Sequence, residues 1–258
     1  MKQDRSEALE IAVYAGIILL QSGAEIFRVD ETVERITRAY GVESCSSFVL
    51  SSGLFTTAGN QQEEYFAKVR HVPLSSARLD KVEAVNELSR EIAGGQHTPQ
   101  QALEQLRRID TMPRRPAPAR LAASGLGSAC FCLMFGGSLP DAFGSFWAGL
   151  LLYLWLMAVE DKKLSKITTP LLGSAAATLA CLLLFRLGVG RDLNQMVIGS
   201  IVPLLPGLPF TIAIRDIADG DYIAGSVRML DALLVALCIG GGVVLVYTFY
   251  YRLTGGWF

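Results

Sequence analysis

Proline, glycine and charge crowd into one stretch of the chain, PLLPGLPFTIAIRDIADGDYIAG at 203–225. Proline lacks an N–H and interrupts the helical hydrogen-bond ladder, so Pro206-Gly207, between Pro203 and Pro209, frees backbone carbonyls and amides. In an apolar stretch such groups persist only where protein or a water-filled cavity satisfies them. Arg215 follows, with a planar fork suited to a carboxylate, and then Asp216, Asp219 and Asp221, carboxylates able to take up a proton. A plain kink followed by a solvated acidic loop is the bland alternative. A second segment, SGAEIFRVDETVERI at 22–36, places Glu25 and Arg28 close enough to pair, either as a solvated turn or as a polar contact to solute or membrane domain. A third, FGGSLPDAF at 135–143, sets Asp141 at the edge of an apolar run, in the headgroup region or in contact with a proton or solute.

The elements that must position these residues divide sharply. The 258 residues are 51% hydrophobic and only 18% charged, against about 25% charged in soluble proteins. Charges are dense up to Arg120 and sparse beyond it. The net charge of −1 gives no basic field for nucleic acid. The cysteines Cys45, Cys130, Cys132, Cys181 and Cys238 form no CxxC, and His71 and His97 are the only histidines, so no zinc site is expected and the cysteines read as small hydrophobes.

Residues 1–112 read as an α+β domain. A helix over about 6–21 sets Leu9, Val13, Gly16, Ile17 and Leu20 on one face, and a second from about Arg28 stripes Val29, Val33, Ile36 and Tyr40. Glu31/Arg35 and Glu34/Arg38 form i,i+4 pairs on the outer side. Three short strands follow, around 42–50, 54–57 and 64–72, the last alternating Tyr65, Ala67 and Val69 with Lys68 and Arg70. Two helices close the domain: one turns Leu79, Val82, Val85, Leu88 and Ile92 inward, the other opens on the capping box Thr98-Pro-Gln-Gln101. Residues 113–120 form a Pro/Arg-rich linker. Ile11 to Leu20 follows Glu7 and Glu10 and lacks a cleavage site, so it reads as a core helix, not a secretion signal.

Residues 121–258 read as a helical bundle of about five spans, at 121–140, 142–159, 167–185, 193–214 and 232–251, the fourth broken by Pro-Gly. Each is near the ~20 residues needed to cross ~30 Å of hydrocarbon. Arg107, Arg108, Arg114, Arg115, Arg120, Lys162, Lys163, Lys166, Arg215 and Arg228 fall on one side, against Arg186, Arg191 and Arg252 on the other. The positive-inside rule then puts the N-terminal domain in the cytoplasm and the C-terminus outside a multi-pass inner-membrane protein.

The three quoted segments, taken in chain order as 22–36, 135–143 and 203–225, make the chain resemble the threonine/serine exporter family over nearly its whole length. The resemblance implies gradient-driven export of small amino or carboxylic acids, with a dicarboxylate such as succinate a second solute class, and no cofactor or metal. Single-chain members carry about twice as many spans, so the chain looks like the larger subunit of the split type, working with a second small membrane subunit. Homo-oligomerisation is left open. The positions that match include Glu25, Arg28, Asp141, Pro206, Gly207, Arg215, Asp216 and Asp221. Physically, Pro206 and Gly207 unwind the span, Arg215 meets a solute carboxylate, and Asp216 or Asp221 couples to protons. The alternatives are a membrane-anchored enzyme with catalysis in the N-terminal domain, or a structural or sensory subunit. There is no Walker cradle, GxSxG elbow or HExxH helix, and Ser22 beside Glu25 is the nearest approach to a nucleophile–base pair.

Overall fold

The computed structural model describes residues 2–42, 44–60, 63–72, 77–160, 162 and 165–255. Glu43 and Lys163 lie outside the described residues, as does the side chain of Tyr65. Contacts divide the chain into two compact units, Met1–Pro113 with Gly207–Leu230, and Arg114–Pro206 with Asp231–Phe258. The division falls at the Pro206-Gly207 step. Residues 207–230, which hydropathy groups with the spans, therefore pack in the unit that holds the N-terminal domain.

In that unit α1 (Lys2–Gln21) is central. Apart from the exposed Glu10 and from Tyr14 it is apolar from Ala8 to Leu20, and Leu9, Ile11, Ile18, Leu19 and Leu20 are all fully buried, so most of its circumference is enclosed. Ile17, expected on its inner face, is only partly buried. The helix ends in a left-handed turn at Gly23 (φ 77°), with Ala24 N–H donating to Leu19 O at 3.0 Å. Next, α2 (Ile26–Ala39) buries Val29, Val33 and Ile36, and carries the outward pairs Glu31–Arg35 at 2.6 Å and Glu34–Arg38 at 2.5 Å.

The strands β1 (Ser44–Leu50), β2 (Gly53–Asn60) and β3 (Glu63–His71) form an antiparallel meander in that order. The middle strand turns Leu54, Thr56 and Ala58 inward and Phe55 outward. Register then reverses the alternation expected for the third strand. Val69 pairs with Phe55 on the outer face and is 60% exposed, while Lys68 and Arg70 pair with Thr56 and Leu54 on the helix-facing side. The side-chain period of two allows only one of these assignments, and the strand's neighbours select it.

Of the closing helices, α3 (Leu79–Ala93) buries Val85, Leu88 and Ile92 but leaves Leu79 59% exposed at its first position. The helix α4 (Pro99–Asp110) has the capping box in full: Gln101 N–H donates to Thr98 Oγ, and the Gln101 side chain accepts from Thr98 N–H at 2.9 Å. Arg78 forks onto Asp80 at 2.8 and 2.7 Å and also reaches the carbonyls of Met112 and Pro113, which fixes where the chain leaves the domain.

The other unit is built from α5 (Ala117–Met134), α6 (Leu139–Glu160), α7 (Thr168–Arg186), α8 (Leu193–Ile201) with a 3-10 turn over Val202–Leu204, and most of a last long helix. Four helices are long and apolar enough to cross a membrane, or five if Leu193–Leu204 and Gly207–Ala218 are one broken span. The first expected span, 121–140, is shortened. Its helix stops at Met134 because Gly136 takes φ 96° and Gly137 N–H closes onto Cys132 O at 2.9 Å. Pro140 belongs instead to the first turn of α6, where a missing N–H costs nothing.

Small residues let these helices approach closely. A Cβ on Gly199 would stand 2.6 Å from Cys132 Cβ and 2.7 Å from Ser128 O. The core contains Ala148, Cys181, Leu182, Leu193, Met196 and Val197. All five cysteines are free, and Cys132 and Cys181 are buried as small apolar side chains. At one end of the bundle Arg114 and Arg120 pair with Glu160, and Lys166 with Asp231 at 2.7 Å.

After Pro206, α9 (Gly207–Ala218) and α10 (Tyr222–Thr254) follow. The last helix starts ten residues before the expected span, at 222 rather than 232. Arg228 and Asp231 end a charge-free window but not a helix, because both have partners. At 33 residues α10 is about 50 Å long.

Candidate functional site

The segments at 22–36 and 203–225 meet in the N-terminal unit. Gly220 (φ 96°) ends α9 with Asp221 N–H donating to Asp216 O at 2.8 Å, and the chain turns straight into α10. This reversal brings Arg228 back opposite Asp216, at 2.8 Å. Both side chains are buried, Asp216 at 2% and Arg228 at 6% exposure. The second fork nitrogen of Arg228 donates to Ala24 O at 3.0 Å, and the second oxygen of Asp216 accepts from Ile26 N–H at 3.2 Å. Ile26 is the first residue of α2, whose N-cap Glu25 makes no side-chain cap bond. Asp216 therefore supplies the anion that the helix N-terminus favours, from 190 residues away.

Glu25, released from capping, pairs with two arginines. Arg28 Nε lies 2.9 Å from one carboxylate oxygen and an Arg215 nitrogen 2.9 Å from the other. The two guanidinium groups are about half exposed whereas Glu25 is largely covered, so both forks keep open donors beside a bound carboxylate. Asp221 is near enough to act electrostatically on Asp216 and Arg228 but makes no ion pair among the described residues.

Asp141 lies in the other unit and is 1% exposed. Its carboxylate accepts from Ser138 N–H and Oγ–H at 2.8 and 2.5 Å, from Asp192 N–H at 2.9 Å, and from Arg191 N–H. Those four bonds use the full acceptor capacity of a carboxylate. Gly190 (φ 94°) shapes this loop, and a Cβ there would stand 3.0 Å from the Asp141 oxygen. Among the described residues no group of His, Cys, Asp or Glu side chains has the arrangement to hold a metal.

The comparisons with known proteins agree on one family. The family model described as "Putative threonine/serine exporter" matches residues 10–250. The chain belongs to the threonine/serine exporter family. It is 26% identical over 253 residues to the "Probable succinate transporter subunit YjjP" of Escherichia coli (strain K12), covering 96% of this chain and 97% of that one. The protein of the same description from Klebsiella aerogenes is 25% identical over 254 residues, with the same coverage. No solved structure matches.

As a member of this exporter family the chain is a multi-pass membrane protein with a small three-stranded sheet near its N-terminus. Of the sequence-selected residues, Glu25, Arg28, Arg215 and Asp216 come together. Asp221 lies close by, Asp141 sits in the other unit, and Pro206 and Gly207 mark the boundary between units. The residue missed was Arg228, read only as a topogenic charge. Its signal was present: an arginine twelve positions after an aspartate, across a Gly-containing turn, inside what proves to be a helix.

Proposed function

We propose that this chain is the larger subunit of a gradient-driven inner-membrane exporter of small amino or carboxylic acids, completed by a second small membrane subunit. The observation that carries the proposal is the convergence of Glu25, Arg28, Arg215, Asp216 and Arg228, which joins two separate family motifs into one polar cluster. Arg28 and Arg215 offer half-exposed guanidinium groups to a solute carboxylate. Asp216 is the coupling carboxylate. A proton on it would cancel its ion pair with Arg228 and weaken the cap on α2, a local charge change acting on two elements at once. Asp141, with every acceptor site used within the chain, acts as a structural clip.

The segment 193–218 serves as a discontinuous span around Pro206-Gly207, as at the substrate sites of many secondary transporters. Support comes from α9, which buries Ile212, Ala213 and Asp216 while turning Phe210 and Ile214 outward. The pairing of Arg114, Arg120 and Lys166 at one end of the bundle suits a cytoplasmic N-terminal domain and an external C-terminus. The word "subunit" in the relatives' description favours a partner chain.

The test is uptake of labelled succinate and threonine by proteoliposomes with and without an imposed proton gradient, with this chain alone and with a second small membrane subunit of the same family. Uptake of either solute that needs both chains and a proton gradient supports the proposal. Full transport by this chain alone would remove the partner, and no transport of either solute under any gradient would remove the exporter assignment for these substrates.

A further inference from the structure

The N-terminal unit contains a cavity of about 240 Å³ that the transport cluster does not use. Lys68 and Arg70 reach it from β3 and Arg107 from α4. Val13, Ile17 and Leu103 supply apolar wall. Glu10 stands at the side, 3.5 Å from Lys68 and mostly exposed. Tyr14 also lines the cavity, but its hydroxyl is already committed, donating to Asp110 at 2.8 Å, and Asp110 in turn faces Lys81 at 3.6 Å. Three cations and a single carboxylate, Glu10, thus line the cavity.

The placement of the two strand cations is the unexpected feature. Register turns Lys68 and Arg70 to the helix-facing side of the sheet, where apolar side chains would bury area, while Val69 is left outside. Inward charges on an edge strand are a known guard against edge-to-edge association. That guard needs neither a third cation from another helix nor a cavity floored by aliphatic side chains. Cations at several points around an apolar floor are complementary to a ligand with anionic ends and a short hydrocarbon middle. The volume is below the ~300–1,000 Å³ of pockets for drug-sized ligands, which sets the ligand at a few carbons.

We propose that this cavity binds a small organic dianion of the dicarboxylate class, with Lys68, Arg70 and Arg107 as its carboxylate partners. The site lies apart from the Arg28–Glu25–Arg215 cluster and gives the N-terminal domain a solute-sensing role. A phosphorylated metabolite presents similar charge, and the apolar floor favours the dicarboxylate.

The test reads the site directly, on the full chain in nanodiscs. Lys68 is acylated with an amine-reactive ester, and its modification rate is followed by peptide mass spectrometry with succinate, inorganic phosphate or neutral succinamide present. Succinate is expected to protect Lys68 saturably and succinamide not at all. Arg107→Gln should raise the half-protecting concentration by about tenfold, the loss expected for one charge-assisted contact. Arg215→Gln should leave protection unchanged, so failure of the transport site and failure of this one are separable. Stronger protection by phosphate than by succinate overturns the dicarboxylate assignment. Absent protection, equal protection by every anion that fades as for a surface lysine at raised ionic strength, or protection lost in Arg215→Gln, overturns it. Because Arg107 lies on an exposed helix face, Arg107→Lys provides a folded control that should retain most of the protection.

Discussion

The carboxylate of Asp216 accepts the backbone N–H of Ile26 at 3.2 Å and so caps a helix whose own N-cap residue makes no side-chain bond. Arg228 holds that carboxylate from its other side at 2.8 Å, and its second fork nitrogen takes the carbonyl of Ala24. The turn after α1, the start of α2, the end of α9 and the start of α10 are thereby tied through one buried pair. Removing either partner strands a charge out of water, a heavier loss than removing both.

That asymmetry gives the first prediction. Asp216→Leu and Arg228→Met should each destabilise the protein by ~3–5 kcal/mol, and the double variant should be more stable than either single one. Thermal unfolding of the four proteins in one detergent measures the coupling. Additive losses would mean that the pair does not act as a unit.

Export should respond to a milder change. Asp216→Asn removes the charge with little change in shape, and it is expected to abolish the pH dependence of transport, while Asp221→Asn retains it. If export and its pH profile survive Asp216→Asn, the coupling role of Asp216 is wrong.

Asp141 should behave as structure. Asp141→Asn turns an amide toward donors that need an acceptor, and leaving such buried groups unpaired costs ~1–3 kcal/mol. The expected outcome is a lowered melting temperature, with the remaining folded protein keeping its affinity for solute. A large loss of affinity at unchanged melting temperature would instead place Asp141 in the pathway.

The break at Pro206-Gly207 is open to change on steric grounds, since a Cβ on Gly207 would meet nothing within 4 Å. Pro206→Ala with Gly207→Ala should raise helix propensity by ~3–4 kcal/mol in total and favour one continuous helix where the proposed function uses a discontinuous span. Folding is expected to persist while transport falls. Unimpaired transport would make the break a mere kink.

Two pH limits follow from the N-terminal domain. The Arg78 hydrogen bonds, chiefly, hold Asp80 down at about 2. Its contribution is complete above the unfolded value of ~3.9 and is lost as pH falls through the folded one. Burial first, and then the bond to Asp110, push Tyr14 up to about 12, so its contribution is lost as pH rises from the unfolded value of ~10 through that value. Melting temperature against pH should therefore fall at both extremes. Asp80→Asn should flatten the acid limb and Tyr14→Phe the alkaline one, and limbs unchanged in these variants would refute the assignments.

Much of this protein was legible in its residues because the signals are local or periodic. A lipid-soluble second half follows from long charge-free windows. The capping box at Thr98 and the i,i+4 pairs on α2 follow from neighbours a turn apart. The family could be recognised from three short segments in order. Tertiary structure decided whatever depends on partners far along the chain. It set which face of β3 is covered, because a strand's two faces differ only by its neighbours. It carried α10 through Arg228 and Asp231, because hydropathy scores a charge without knowing whether an opposite charge awaits it. Above all it joined Asp216 to Ile26 across 190 residues, since a helix N-terminus attracts any anion that the fold delivers and sequence spacing says nothing of which one arrives.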